Sequence, residues 1–249
     1  MFSNPTLERL RAMRLTPMAE AFVRQQEDPN LIHLGFEERF GLLVDHQWLS
    51  RQNRALDRRL KLARLGQRAA IEDLDYQHPR GLDRATITGL STSQWVTSRH
   101  NVLITGPAGV GKSFLACALA QKAVRDGFQA LYFRATRLFQ ELAVARADGS
   151  LPLLFRRIGR TPLLVVDDWA MQPLNDVERR DFLEICEERY ERGATLLTSQ
   201  FAVRDWHKQI GDPTLADSIL DRLVHNAYRI ELKGESMRKR KGPKGGDSL

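Results

Sequence analysis

The sequence predicts an α/β protein: a parallel sheet of five short strands with helices on both faces, preceded by a small helical region. Three observations carry that class. Five apolar, β-rich runs recur in the second part of the chain, at 101–105 (NVLIT), 129–133 (QALYF), 163–167 (LLVVD), 194–199 (ATLLTS) and 228–232 (YRIEL). Amphipathic helical segments, such as 112–126 and 177–192, separate them, and near-continuous apolar strands alternating with helices imply a parallel sheet buried on both sides. The third is a glycine-rich loop wedged between the first run and the helix that follows it.

The 249 residues suffice for one large domain and a smaller companion, with 42% hydrophobic and 28% charged side chains, an ordinary globular balance. This composition excludes a collagenous, low-complexity or disulfide-framework protein. No apolar run approaches the ~18–20 residues of a bilayer span, and the opening Met1-Phe2-Ser3-Asn4-Pro5 lacks the basic start and apolar stretch of a signal peptide. A cytoplasmic protein without a membrane partner is the expectation. The two cysteines, Cys117 and Cys186, stand far apart on helical segments with no CxxC or Cys/His cluster, and are read as reduced, buried small hydrophobes.

Residues 1–75 place apolar side chains at helical spacing (Leu7, Leu10; Phe36, Phe40, Leu43, Val44), with breaks near Pro17, Pro29 and Gly35, and predict an N-terminal region of three or four helices. The positive charge of the chain, formally +7, is concentrated here. Between residues 51 and 68, Arg51, Arg54, Arg58, Arg59, Lys61, Arg64 and Arg68 face Asp57 alone. Steps of three and four put most of them on one side of a helix, with Leu49, Leu56, Leu60 and Ala63 on a neighbouring side. A merely solvated face usually mixes both signs, so the stripe is read as a phosphate-backbone contact surface for double-stranded DNA. Arginines in a row read phosphates rather than base edges, which predicts low sequence specificity. A linker, 76–97, punctuated by Pro79, Gly81 and Gly89, leads to the nucleotide-binding domain, 98–236. The Gly- and Lys-rich end, 237–249, reads as a flexible basic tail.

Gly106-Pro107-Ala108-Gly109-Val110-Gly111-Lys112-Ser113 fits GxxxxGK[ST] without a mismatch, and with Phe114 it opens the first helix of the α/β region. Such a loop wraps phosphates in backbone N–H groups at a helix N-terminus. Lys112 then reaches the β- and γ-phosphates of ATP, and the Ser113 hydroxyl ligates Mg²⁺. The run LLVVDD ends a strand in two acids: Asp167 to hold Mg²⁺ through its water shell, Asp168 to orient or deprotonate an attacking water. The second acid argues for hydrolysis, and its being Asp, one methylene shorter than Glu, predicts slow turnover stimulated by a partner. The strand ending Thr198-Ser199-Gln200 offers a γ-phosphate sensor, Gln200 first and Ser199 second. In ADSILDRL, Arg222 near a helix end either pairs with Asp217 or Asp221, or serves as an arginine finger for a neighbouring subunit.

GPAGVGKS, LLVVDDW, LLTSQ and above all GDPTLADSILDRLVHNAYRIELKGESMRKR resemble the IstB-type helper ATPases of bacterial insertion sequences, relatives of the DnaC helicase loader. The likeness runs over nearly the whole chain, from LERLRAMRLTPMAEAF onward. It implies a P-loop AAA+ fold with strand order 5-1-4-3-2. It implies ATP- and DNA-dependent homo-oligomers and a cognate transposase, for which the helper selects and remodels target DNA. By position it makes Lys112 and Ser113 the Walker A residues, Asp167 and Asp168 the Walker B acids, Gln200 or Ser199 sensor I, and Arg222 the finger. Arg238 in GESMR is the candidate for sensor II, although the 27 residues after Arg222 make at most a truncated lid. A DnaC-like loader using ATP as a switch is the alternative, but the basic helix has no aromatic series for stacking single-stranded bases. A small-molecule kinase would need an acceptor site, and none is evident.

Overall fold

The computed structural model describes residues 5–31 and 33–237, and the chain falls into two compact units, 1–58 and 59–249. The first is helical: α1 (Pro5–Ala12), α2 (Thr16–Glu27) and α3 (Phe36–Ala63), the last of which runs on into the second unit. Pro17 sits in the first turn of α2, where its missing N–H costs nothing. Ala19 and Ala21 are buried, and the buried Gln47 of α3 accepts a hydrogen bond from the Met18 N–H at 3.2 Å. On α3, Phe36, Phe40, Val44 and Trp48 recur every fourth residue and are exposed, with the Phe36 and Phe40 rings stacked at 5.9 Å.

The second unit is the α/β body. Two short helices, α4 (Arg84–Leu90) and α5 (Gln94–Thr97), lie within 76–97 and bury Ile87, Leu90, Trp95 and Val96. Asp83 caps α4 by accepting from the Ala85 and Thr86 N–H groups. Then come β1 (Asn101–Thr105), α6 (Lys112–Arg125), β2 (Ala130–Arg134), α7 (Ala135–Asp148), α8 (Leu151–Arg160), β3 (Leu163–Asp167), α9 (Asp176–Arg189), β4 (Ala194–Ser199), α10 (Trp206–Ile210), α11 (Pro213–Val224) and β5 (Ala227–Glu231). The sheet is parallel throughout and ordered β2-β3-β4-β1-β5, the order the family resemblance implies. Every residue of β1, β3 and β4 is buried, as central strands covered on both faces require, whereas the edge strand β5 buries Ile230 alone. The core beside them runs from Leu103, Leu164, Val166 and Leu197 to Leu138, Leu142, Phe182, Ile185 and Trp206.

The edge strands β2 and β5 each differ by one residue from the runs read in the sequence, β2 starting at Ala130 and β5 at Ala227. The basic stripe that periodicity places on one helix is split. Arg64 adopts left-handed backbone (φ 51°), so α3 ends at Ala63. Arg51, Arg54, Arg58, Arg59 and Lys61 ride on the helix, while Arg64 and Arg68 belong to the segment after it. That segment turns inward because Leu65, Ala69 and Ile71 pack with Cys117 and Ala118 of α6. Both cysteines are free and buried, and burial pushes the Cys186 thiol up to about 12.

Candidate nucleotide site

The loop between β1 and α6 is shaped by glycines with positive φ: Gly106 (145°), Gly109 (81°) and Gly111 (98°). At Gly106 a Cβ would stand 2.2 Å from the Leu232 carbonyl oxygen, so the position excludes any side chain. Lys112 is buried, and its Nζ donates to the Pro107 carbonyl at 2.8 Å, which holds the ammonium within the loop's own curve. Val110 is fully buried, while Ala108 and Pro107 stay accessible. A concave backbone ahead of a helix N-terminus, with a cation folded into it, fits a polyphosphate.

A strap that sequence reading missed secures this loop. The Arg80 guanidinium is buried; it donates to the Val110 carbonyl and the Met237 sulfur, both at 3.0 Å, and to the Asp75 carbonyl at 3.0 Å. The Met237 N–H donates to the Gly109 carbonyl at 3.0 Å, and Leu232 N–H to Thr105 at 2.7 Å. Residues 75–80 and 232–237 thus brace the glycine loop. Arg238 lies outside the described residues.

The acids stand where the sequence places them. Asp167 ends β3 fully buried, with both oxygens occupied by hydroxyls: Thr198 donates to Oδ1 at 2.5 Å and Tyr132 to Oδ2 at 2.7 Å. Burial, followed by the hydrogen bond to Asp167, raises the Tyr132 phenol far above its ordinary range, so it remains a donor. Asp168 leaves the strand in the left-handed region (φ 58°), and its N–H donates to Thr198 Oγ1 at 2.9 Å. Strained backbone of this kind collects at functional positions. Trp169 locks the turn, buried against Trp206 and Phe182 with ring centroids 4.6 and 5.3 Å away.

The end of β4 lies against both features. Thr105 pairs with Ser199, whose carbonyl accepts the Gly106 N–H at 3.2 Å. Ser199 is fully buried and accepts the Phe201 N–H at 3.2 Å, whereas Gln200 is half-buried and makes no hydrogen bond among the described residues. Thr198 thus aligns the acids, a role no linear motif marks. Among the described residues no three His, Cys, Asp or Glu side chains gather to hold a metal by themselves. Ser113 and Asp167 provide the hard oxygen donors that suit Mg²⁺ alongside phosphate oxygens, whose share Mg²⁺ usually takes in such sites.

Arg222 is elsewhere. Its backbone carbonyl accepts from Asn101 Nδ2 at 3.2 Å, at the start of β1, whereas the glycine loop follows the strand's end. Four residue steps of strand separate the two, about 13 Å. The guanidinium pairs with Glu187 of α9 at 3.0 Å and with the Ser218 carbonyl at 2.8 Å, not with Asp217 or Asp221. In the basic segment, Arg51, Arg54, Arg58, Lys61, Arg64 and Arg68 are exposed; Arg59 is half-buried, donating to the Val124 carbonyl at 3.2 Å.

Comparison with known proteins gives a consistent answer. The family model of the IstB-like ATP binding protein matches residues 8–244. The insertion sequence ATP-binding protein y4pL of Sinorhizobium fredii is 49% identical over 239 residues, covering 96% of this chain and 98% of that protein. Among solved structures, DnaI aligns with a TM-score of 0.57 at 24% identity, over 66% of this chain and 91% of its own. The DnaC helicase loader aligns with a TM-score of 0.52 at 19% identity, over 69% and 97%. These structural likenesses show that the chain shares its fold with DnaI and the DnaC helicase loader.

Proposed function

The chain belongs to the IstB-like ATP-binding protein family, and we propose that it is a magnesium-dependent ATPase that assembles on double-stranded DNA as the helper of a transposase. The observation that carries the reading is the convergence of three strand ends: the glycine loop after β1, the acid pair after β3 and Ser199–Gln200 after β4. In the mechanism, the N–H groups of 108–114 cradle the ATP phosphates beside Pro107, and Lys112 exchanges the Pro107 carbonyl for β- and γ-phosphate oxygens. Ser113 and Asp167 would hold Mg²⁺, which when bound neutralises developing phosphate charge. Asp168, turned out of the strand, orients the attacking water and takes its proton. Gln200, with Ser199 beside it, donates to the γ-phosphate.

Arg222 serves a neighbouring subunit's nucleotide, a reading supported by its place at the far end of β1 from its own glycine loop. The exposed row Phe36, Phe40, Val44 and Trp48 supports assembly of copies through the N-terminal helices, and the exposed arginines of 51–68 support duplex contact through phosphates. Insertion-sequence relatives support a transposase as the partner served. The test is oligomeric mass with ATP and Mg²⁺, with and without a duplex of a few tens of base pairs, for wild type and Arg222→Ala. Growth to a large assembly that needs ATP and duplex, with hydrolysis lost in the variant, is expected. A monomer whose hydrolysis ignores DNA and Arg222 would remove the helper reading, and stable capture of a replicative helicase would replace it with a loader.

A further inference from the structure

The segment that follows α3 carries part of the candidate DNA surface and reaches the candidate magnesium carboxylate through Tyr132. Arg64 and Arg68 flank Gly66 by two residues on either side, and with Lys61 they line an open groove of about 770 Å³. Gly66 lies against the Tyr132 ring: a Cβ there would stand 2.3 Å from the phenol oxygen and 2.5 Å from the carbon bearing it. Glycine is thus required by a close approach of backbone to ring. The Tyr132 hydroxyl in turn donates to Asp167 at 2.7 Å. The turn is also held against α6, because Leu65 packs in the same cluster as Cys117, Phe114 and Tyr132.

We infer that the turn at residues 65–67 and the Tyr132 hydroxyl form a mechanical link through which duplex DNA held by Lys61, Arg64 and Arg68 sets the orientation of the Asp167 carboxylate. Phosphates bridging Arg64 and Arg68 clamp the turn from both sides, and a clamped turn keeps the phenol on Asp167. The bond fixes one carboxylate oxygen while Thr198 fixes the other, leaving the remaining lone pairs aimed for a divalent cation. Tyr132 is therefore a positioning residue. The inference rests on the proposed duplex-dependent ATPase reading and adds the route by which the duplex acts.

The test uses the full chain and Tyr132→Phe, which removes the hydroxyl alone, with Gly66→Ala as a second variant that pushes on the ring. Three quantities are measured: duplex affinity by fluorescence anisotropy, Mn²⁺ affinity by electron paramagnetic resonance with a non-hydrolysable ATP analogue with and without duplex, and ATP turnover. In wild type, duplex is expected to tighten Mn²⁺ binding and raise turnover. In Tyr132→Phe, duplex affinity and analogue affinity, both measured without metal, should match wild type, while Mn²⁺ affinity with duplex falls about 10-fold, the usual loss when a carboxylate's hydrogen-bond partner is removed. A merely structural role would not separate those readouts. Retention by Tyr132→Phe of the full duplex-driven gain in Mn²⁺ affinity overturns the link alone, as does a wild type that binds duplex without any such gain. A wild type that does not bind duplex overturns the functional reading and the link together. If Gly66→Ala fails to fold, Tyr132→Phe decides.

Discussion

Thr198 and Asp167 form the smallest unit on which the site depends. A fully buried carboxylate with a hydroxyl on each oxygen loses a charge-assisted hydrogen bond if Thr198 becomes Val, at a cost of about 2 kcal/mol. Thr198→Val should therefore lower the melting temperature and weaken hydrolysis together, and a variant with unchanged melting and turnover would show the bond to be idle. Asp168→Asn should separate binding from chemistry: nucleotide affinity as in wild type, with turnover down by at least about 100-fold, read by fluorescent-nucleotide titration and phosphate release. Another buried residue acts on stability alone. Arg189 is buried and makes no ion pair among the described residues, donating instead to the carbonyls of Ile158, Thr161 and Ala194 and to the Thr195 hydroxyl. Burial pushes its pKa down to about 9, which still leaves the guanidinium charged at neutral pH. Arg189→Met should cost about 3 kcal/mol in denaturant unfolding, since several buried carbonyls lose their donor at once.

Among the elements, α9 has the most explicit start signal. Asn175 accepts from the Val177 and Glu178 N–H groups and Glu178 returns a bond to the Asn175 N–H, so Asn175→Ala should cost about 1 kcal/mol in urea unfolding. The strands β1, β3 and β4 were legible to the residue because burial on both faces leaves an unbroken apolar run between polar ends. At the sheet edges, where β2 and β5 carry half-buried and exposed residues, the runs lose sharpness and the ends shift by one. α4 and α5 span seven and four residues, too few for a 3.6-residue period to declare itself. The end of α3 was hidden by charge: the arginine spacing continues past Ala63, and only packing of Leu65 and Ala69 on α6 bends the chain away. The glycine loop and acid pair were legible as contiguous motifs. Tyr132 and Arg80 were not, because their partners lie far along the chain, at Asp167 and Met237, and only the sheet and the strap bring them together.

At the scale of the molecule, the exposed basic residues predict an electrostatic mode of duplex binding. The logarithm of affinity should fall linearly with the logarithm of salt concentration, with a slope of about −5 for roughly six phosphate contacts, and Arg54→Ala should reduce its magnitude by about 1 without altering sequence preference. A slope near zero would point to apolar binding instead. The opposed placement of Arg222 and the glycine loop at the two ends of β1 has an arithmetic outcome. In the proposed assembly, a subunit that gives Arg222 as a finger at one pole and receives one at the other joins copies head to tail. An open arc of such copies always has one nucleotide without a finger, whereas a closed ring has none. Turnover per subunit should thus climb with arc length toward a plateau, short arcs being poor enzymes, while a ring works at full rate from the moment it closes.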